Sequence, residues 1–382
     1  MLDTPAASTT PHRISLAHDW LCGFRGGEAV LERLALLFEQ ENEPTRLYAM
    51  FDSGVPLAPA IDRTERRVPR IGRFRPFAGP MRRWLLPAYP SLVGSLTVML
   101  GRDHRARPID LLISTSSAAI KGMRAPEGVP HLCYCHSPAR YIWERRADYG
   151  GSPLRSIGLR CAGPAFKSWD RSSATNVSRF VANSHEVARR IRAHFDLDAT
   201  VVHPPVDTEF FTPSDEADRG HWLVVAALEP YKQIDLAIEA AHLADRELVI
   251  VGTGSERARL ESIARNVRFA GRVGPNELRK LYRTASALLF PQVEDFGIAA
   301  AEALACGCPV VARRAGGALD IIQEGTTGAF FGGPERARDD AAALAEAAAS
   351  VTRDPLACRT RAELFSVDRF DNAMRRHALD LL

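Results

Sequence analysis

Ala287-Leu288-Leu289-Phe290-Pro291-Gln292-Val293-Glu294-Asp295-Phe296-Gly297-Ile298-Ala299-Ala300-Ala301-Glu302 is the stretch that decides the fold of this chain. It opens with an apolar run stopped by proline, which suits a buried parallel strand. It closes on small residues that continue to Gly307, which suit a helix. A strand, loop and helix in this order aim backbone N–H groups and the positive end of the helix dipole at whatever binds there, and a diphosphate is the usual guest. Glu294 falls in the loop and Glu302 about one turn into the helix, eight positions apart. Carboxylates so placed can each accept two hydroxyl hydrogen bonds, one from a sugar ring and one from a ribose. Taken alone, two glutamates at this spacing are an acidic loop residue and a solvated helix residue. The surrounding sequence has to choose between that account and a sugar-nucleotide site.

Outward from this stretch, strand candidates alternate with helical stretches along the chain. In the first half they are Ile14 to Asp19, Arg46 to Phe51, Asp110 to Thr115, His131 to His136, Arg179 to Asn183 and Thr200 to His203. In the second they are Trp222 to Leu228, Glu247 to Val251, Val267 to Phe269, Ala287 to Phe290, Pro309 to Ala312 and Gly328 to Phe331. This βαβ rhythm, twice over, predicts an α/β protein of two Rossmann-like, doubly wound domains. The break comes at Pro204-Pro205-Val206-Asp207 through Arg219-Gly220, where prolines and an acidic polar run interrupt the pattern. The expected division is residues 1–203, 204–360 and a helical segment 361–382. A length of 382 residues suits two domains rather than one. Ligands of open α/β sheets bind beyond the carboxyl ends of the strands, so the site is expected where two such domains face each other.

Four blocks in the second half resemble the retaining glycosyltransferases of family 4, which have the two-domain GT-B fold. Leu228 to Ala240 is similar to the family's L-x-P-x-K loop and helix, Leu248 to Gly254 to its strand and glycine turn, and Val267 to Val273 to its VxFxGxV block. Glu294 to Glu302 is similar to its paired-glutamate signature, with Ala315-Gly316-Gly317 and Thr327 to Phe331 behind. In the first half, Ile14 to Leu21 runs into the glycine loop Gly23 to Glu28, and Cys133 to Trp143 places His136 at the end of a strand. With Asp295-Phe296-Gly297-Ile298, these blocks look most like the bacterial O-antigen and exopolysaccharide mannosyltransferases that use GDP-mannose. The resemblance covers residues 13–333, and it implies a terminal helix crossing back to the N-terminal domain.

The resemblance implies roles residue by residue. Lys232 is the expected cation on the leaving diphosphate, with the backbone N–H groups of Phe296, Gly297 and Ile298 sharing its charge. Glu302 is expected on the ribose, with Arg272 also on the donor and Gly26 and Gly27 contributing from the first domain. His136 is expected at the transferred sugar, with His18 and Asp19 as weaker candidates. Glu294 stays open between a sugar-binding carboxylate and a nucleophile, because retaining transfer in this family is thought to run on the front face. Family members often carry an arginine five residues before the lysine, but this chain has Ala227 there. Arg25, Lys121, Arg124 and Arg140 are candidates to replace its charge. No metal or cofactor is expected, since the nucleotide sugar is a substrate and no carboxylate cluster stands ready for magnesium.

Composition limits the alternatives. Hydrophobic residues at 46% and charged residues at 25% describe a globular protein with a large core. No run approaches the ~18 to 20 apolar residues of a membrane span, and Met1 to Thr10 lacks the character of a signal peptide. The expected place is therefore the cytoplasm. Seven cysteines, including the pairs Cys133/Cys135 and Cys306/Cys308, are expected to be packing thiols, because no second pair completes a zinc site. From Arg63 to Arg83 eight arginines face one acid, Glu65, a local charge of +7 in a chain of net +3. Arg66, Arg67, Arg70 and Arg73, interleaved with Phe74 and Trp84, have the composition of a contact with an anionic membrane surface. That would put the protein peripherally on the inner face of the cytoplasmic membrane, beside a lipid-linked glycan acceptor. No nucleic-acid partner is expected, since nothing else in the chain has the makings of a recognition module. The competing expectations are a catalytically silent GT-B protein that binds a sugar nucleotide or glycan, and a family 4 transferase that uses a UDP-sugar.

Overall fold

The computed structural model describes residues 12–39, 44–74, 76, 85–143, 153–214 and 220–382. By their contacts these divide into two compact units. The first comprises Met1–Ala182, Ala188–Thr200 and Met374–Leu382, and the second Asn183–Val187 and Val201–Ala373.

The first sheet holds β1 (Ile14–Leu21), β2 (Arg46–Asp52), β3 (Glu65–Arg67), β4 (Leu111–Ser116), β5 (His131–Cys135), β6 (Arg179–Ala182) and β7 (Ala199–Val201), in the order β3-β2-β1-β4-β5-β6-β7. The second holds β8 (His221–Val225), β9 (Glu247–Val251), β10 (Val267–Gly271), β11 (Ala287–Phe290), β12 (Val310–Arg313) and β13 (Gly328–Phe331), in the order β10-β9-β8-β11-β12-β13. Pairing is parallel throughout the second sheet and from β3 to β6 in the first. Both are doubly wound sheets, and their strand order reverses between β1 and β4 and between β8 and β11.

Side-chain alternation explains why the inner strands are nearly all apolar. Leu223, Val249, Leu288 and Val310 enter one core of the second unit, while Trp222, Val224, Leu248, Ile250 and Leu289 enter another. A parallel sheet covered on both faces needs apolar residues at both parities, so its strands lack a polar side. The terminal helix Val367–Leu379 follows the same logic, with Phe370, Met374 and Ala378 buried. Its last turns group with the first unit, where Asp380 accepts from Arg179 of β6 at 3.1 Å.

β3 is a strand the sequence pattern does not announce, because its three residues Glu65, Arg66 and Arg67 are all charged. It is an edge strand on β2, where charges are tolerated and deter further pairing. This revises the expectation for the arginine segment. Arg66 is held by Asp52, at 3.2 Å, and by Asp62; Arg67 is held by Asp103 at 2.8 Å and Glu65 at 2.7 Å. Both are half-buried in ion pairs that the strand's position dictates, so neither is a free surface cation. Arg70, Arg73 and Phe74 are exposed. Trp84, Arg75, Arg82 and Arg83 lie outside the described residues. Among the described residues no helix is long and apolar enough to cross a membrane.

Candidate active site

In the second unit the reversal point brings two loops together at the carboxyl ends of β8 and β11. The loop after β8 runs into a 3-10 turn, Pro230–Lys232, and the loop after β11 carries Glu294. Lys232 Nζ contacts Glu294 Oε1 directly, with their side chains only 13% and 19% exposed. Lys232 also lies over the Tyr231 ring, 5.0 Å from its centre.

Arg313, at the end of β12, fixes both loops. Fully buried and paired with Asp340 at 2.8 Å, its guanidinium donates to the Pro291 carbonyl at 3.0 Å and to Gln233 Oε1 at 2.9 Å. Gln233 follows Lys232 with φ +51, a left-handed conformation that a non-glycine residue holds only when its surroundings impose it. Nothing in the sequence motifs singles out Arg313, because its partners come from three separate segments.

Gly297 opens the helix Ile298–Ala305 with φ +114. A Cβ there would lie 2.8 Å from Phe290 Cζ, so glycine is required by conformation and by space. In the first turn the Ala300 amide already donates to the Gly297 carbonyl at 2.9 Å, which leaves the Ile298 and Ala299 amides at the positive end of the helix. The loop is cradled from behind, where the Gly317 amide donates to the Glu294 carbonyl at 2.9 Å. A Cβ on Gly317 would come within 2.3 Å of Phe296 Cα. The Phe296 side chain is core, stacked on His203 at 5.3 Å and set edge-on to Phe365 at 5.4 Å. Only its backbone can serve a ligand.

Glu302, one turn into the helix, accepts from Tyr282 Oη at 2.9 Å. Burial pushes its carboxyl up to about 7, against the opposing pull of the Tyr282 bond. The Tyr282 hydroxyl is itself raised, first by burial and then by Glu302. Tyr282 is a further candidate residue through its bond to Glu302, hidden in sequence because a tyrosine at helical spacing looks like core. Arg272 is exposed just after β10, the edge strand of the sheet, two strands from β8.

In the first unit Gly26 and Gly27 open the helix Gly26–Leu37 after β1. A Cβ on Gly27 would lie 3.8 Å from both His136 Nε2 and His18 Cε1, so these residues converge. His136 Nε2 and His18 Nε2 are buried without a hydrogen-bond partner among the described residues, the latter 3.8 Å from Glu28 Oε1. Burial, and then the neighbouring His18, lowers the His136 pKa to about 3, leaving a neutral imidazole suited to hydroxyl groups. His18 Nδ1 is tied to Thr115 Oγ1 at 2.5 Å.

Two expectations are corrected here. Asp19 is structural, because its carboxylate accepts from the amides of Ser117, Ala118, Ala119 and Ile120 at 2.5 to 2.9 Å. Lys121 cannot replace the cation missing at Ala227, because it is fully buried against Asp170 and donates to the Ala118 carbonyl at 2.9 Å. Arg25 and Arg124 are exposed and Arg140 is half-buried. Among the described cysteines, Cys133, Cys135, Cys306, Cys308 and Cys358 are buried and form no disulfide, and burial raises the thiol pKa values of Cys133, Cys306, Cys308 and Cys358.

Known proteins share both halves of this arrangement. The family described as Glycosyltransferase Family 4 matches residues 24–210, and that described as Glycosyl transferases group 1 matches residues 207–364. Between them they span both units, and the chain belongs to the glycosyltransferases of the GT-B fold. A D-inositol 3-phosphate glycosyltransferase of Geodermatophilus obscurus is 34% identical over 225 residues, covering 50% of this chain and 50% of that protein. The chain spans about half the length of the curated relatives it matches. The sucrose-phosphate synthase of Thermosynechococcus elongatus superposes with a TM-score of 0.73 at 18% identity, covering 97% of this chain and 99% of that one. Anabaena HepE in complex with UDP-glucose superposes with a TM-score of 0.63 at 17% identity, over 97% and 100%. At such identities the likeness is one of fold.

Proposed function

We propose that the protein is a retaining hexosyltransferase that moves a hexose from a nucleotide diphosphate sugar to a lipid-linked glycan in polysaccharide synthesis. The direct contact of Lys232 with Glu294, at the reversal point of the second sheet and beside the N-terminus of the helix Ile298–Ala305, carries this conclusion. As the sugar–phosphate bond breaks, negative charge grows on the leaving diphosphate. An ammonium and first-turn amides held in place stabilise that charge without reorganising. On donor binding Lys232 exchanges a carboxylate for diphosphate, and Glu294 exchanges an ammonium for sugar hydroxyls, so neither is stranded as an unpaired charge. Glu302 takes the ribose hydroxyls, and the two Nε2 atoms beside Gly27 take sugar or acceptor hydroxyls.

Mannose from GDP-mannose is the donor favoured by the blocks Cys133 to Trp143 and Asp295 to Ile298. A UDP-sugar is the second reading, supported by the likeness in fold to HepE, whose structure holds UDP-glucose. Hydrolysis and transfer measured across GDP-mannose, UDP-glucose, UDP-galactose and UDP-N-acetylglucosamine test both. Preferential release of GDP is the expected result, and turnover of a UDP-sugar instead would reassign the donor. Nucleotide binding by calorimetry without turnover of any donor would overturn the enzyme in favour of a binding protein.

A further inference from the structure

We propose that His185, His203 and Asp320 form a binding site for a divalent transition-metal ion. All three belong to the second unit. Candidate ligand atoms from the three lie within 4.8 Å of one another. His185 Nδ1 is 3.2 Å and His203 Nδ1 3.8 Å from the same atom, Asp320 Oδ2. Ligands about 2.0 to 2.2 Å from a tetrahedral ion stand ~3.3 to 3.5 Å apart, so small side-chain adjustments close the set.

The surroundings hold two of the three ligands. The His203 ring is stacked on Phe296 and edge-on to Phe365 at 5.2 Å. The Asp320 carboxylate, 7% exposed, accepts from the His185 amide at 2.7 Å. His185 is 74% exposed and gives the ion a way in from solvent. Capping of the helix His185–Phe195 is met by Ser184 Oγ, which accepts from the Val187 amide at 3.2 Å, and by Asp320 on the His185 amide. It does not call for two imidazole nitrogens within 3.8 Å of one carboxylate oxygen.

Ligand chemistry narrows the ion. Two imidazoles and one carboxylate suit zinc, nickel or copper and leave a position for water, whereas magnesium and calcium prefer oxygen ligands. His203 Nδ1 donates to the Asn183 carbonyl at 3.2 Å in the ion-free site, so an ion binding at Nδ1 displaces that bond and moves the ring proton to Nε2. The Arg361 guanidinium, bonded to the carbonyl oxygens of Asp320 and Ile321, stands nearby as a fixed cation that opposes binding. The site lies outside the Lys232–Glu294 pair, and it meets the donor loop through the His203–Phe296 stack and through Gly317, whose amide donates to the Glu294 carbonyl and whose carbonyl accepts from the Asp320 amide at 3.0 Å.

Titration of the untagged, EDTA-stripped full chain with zinc by calorimetry, and with cobalt by visible absorption, tests the proposal. The expected result is one ion per chain, a cobalt spectrum of imidazole–carboxylate coordination, and no competition from magnesium. His185→Ala and Asp320→Asn should each weaken zinc binding by about tenfold or more. His185 is exposed and Asn still accepts from the amide, so both variants should keep the parent's melting temperature in EDTA. Zinc affinity unchanged in the double variant His185→Ala/His203→Ala, or no saturable binding by the parent, would overturn the site.

Discussion

Glu302 is held by two opposing demands. Its burial favours the protonated carboxyl, with a pKa pushed up to about 7, while hydrogen bonds from the ribose hydroxyls proposed to bind there would favour the carboxylate. For folding, a carboxyl pKa above its unfolded value contributes stability that is whole below about 4.5 and lost as pH rises through about 7. For donor binding the sign is the reverse, so affinity should tighten as pH rises through about 7, with proton release on binding at the acid end. Calorimetry in buffers of different ionisation enthalpy measures both quantities. Glu302→Gln should flatten the pH dependence, and Glu302→Ala should cost roughly 2 to 4 kcal/mol in donor binding. Equal affinity in a folded Glu302→Ala would remove the residue from the site. Arg313 acts on the other side of the reversal point. Lysine there reaches too few of its partners, so Arg313→Lys should lower stability by about 2 kcal/mol or more and reduce kcat/KM, read by thermal denaturation and donor turnover.

At the scale of elements, the helix Ile298–Ala305 serves the site only if its N-terminus stays where Gly297 puts it. Gly297→Ala meets both a positive φ and the Phe290 ring, so it should cost ~1 to 3 kcal/mol and displace the first-turn amides. Thermal denaturation together with donor affinity reports the two effects. This helix, its strand and its loop were legible in sequence because apolar runs, proline and glycine mark their bounds. β3 was not, since an edge strand of Glu65, Arg66 and Arg67 carries no apolar signal. The same is true of Arg313 and Tyr282, whose roles arise from partners far away in the chain. Missing β3 also changes the membrane hypothesis. Arg70→Ser/Arg73→Ser should weaken binding to anionic liposomes at low salt and leave donor hydrolysis intact, because each basic residue near an acidic surface adds about 1 kcal/mol. Arg66→Ser should instead lower thermal stability by ~1 kcal/mol through its pairs with Asp52 and Asp62. Liposome binding unaffected by the Arg70 and Arg73 changes would end the case for docking through this segment.

Across the whole molecule, the two sheets repeat one solution, a doubly wound sheet whose strand order reverses, between β1 and β4 in one and between β8 and β11 in the other. Parallel strands buried on both faces are continuous apolar runs, which is why the doubled α/β pattern could be read from sequence alone. The His185, His203 and Asp320 cluster could not, because its members are brought together only by folding. That cluster and the diphosphate site make opposite demands on a chelator. At the proposed diphosphate site the positive potential would come from Lys232 and the helix N-terminus, and no carboxylate cluster for magnesium adjoins them among the described residues. EDTA should therefore strip any ion from the imidazole cluster and yet leave donor turnover in place. Lys232→Ala should lower kcat by roughly 100- to 1000-fold in the same buffer, the scale of losing one preorganised charge on the leaving group. Turnover abolished by EDTA and restored by magnesium, with Lys232→Ala near parental activity, would transfer the leaving-group charge from the lysine to a metal.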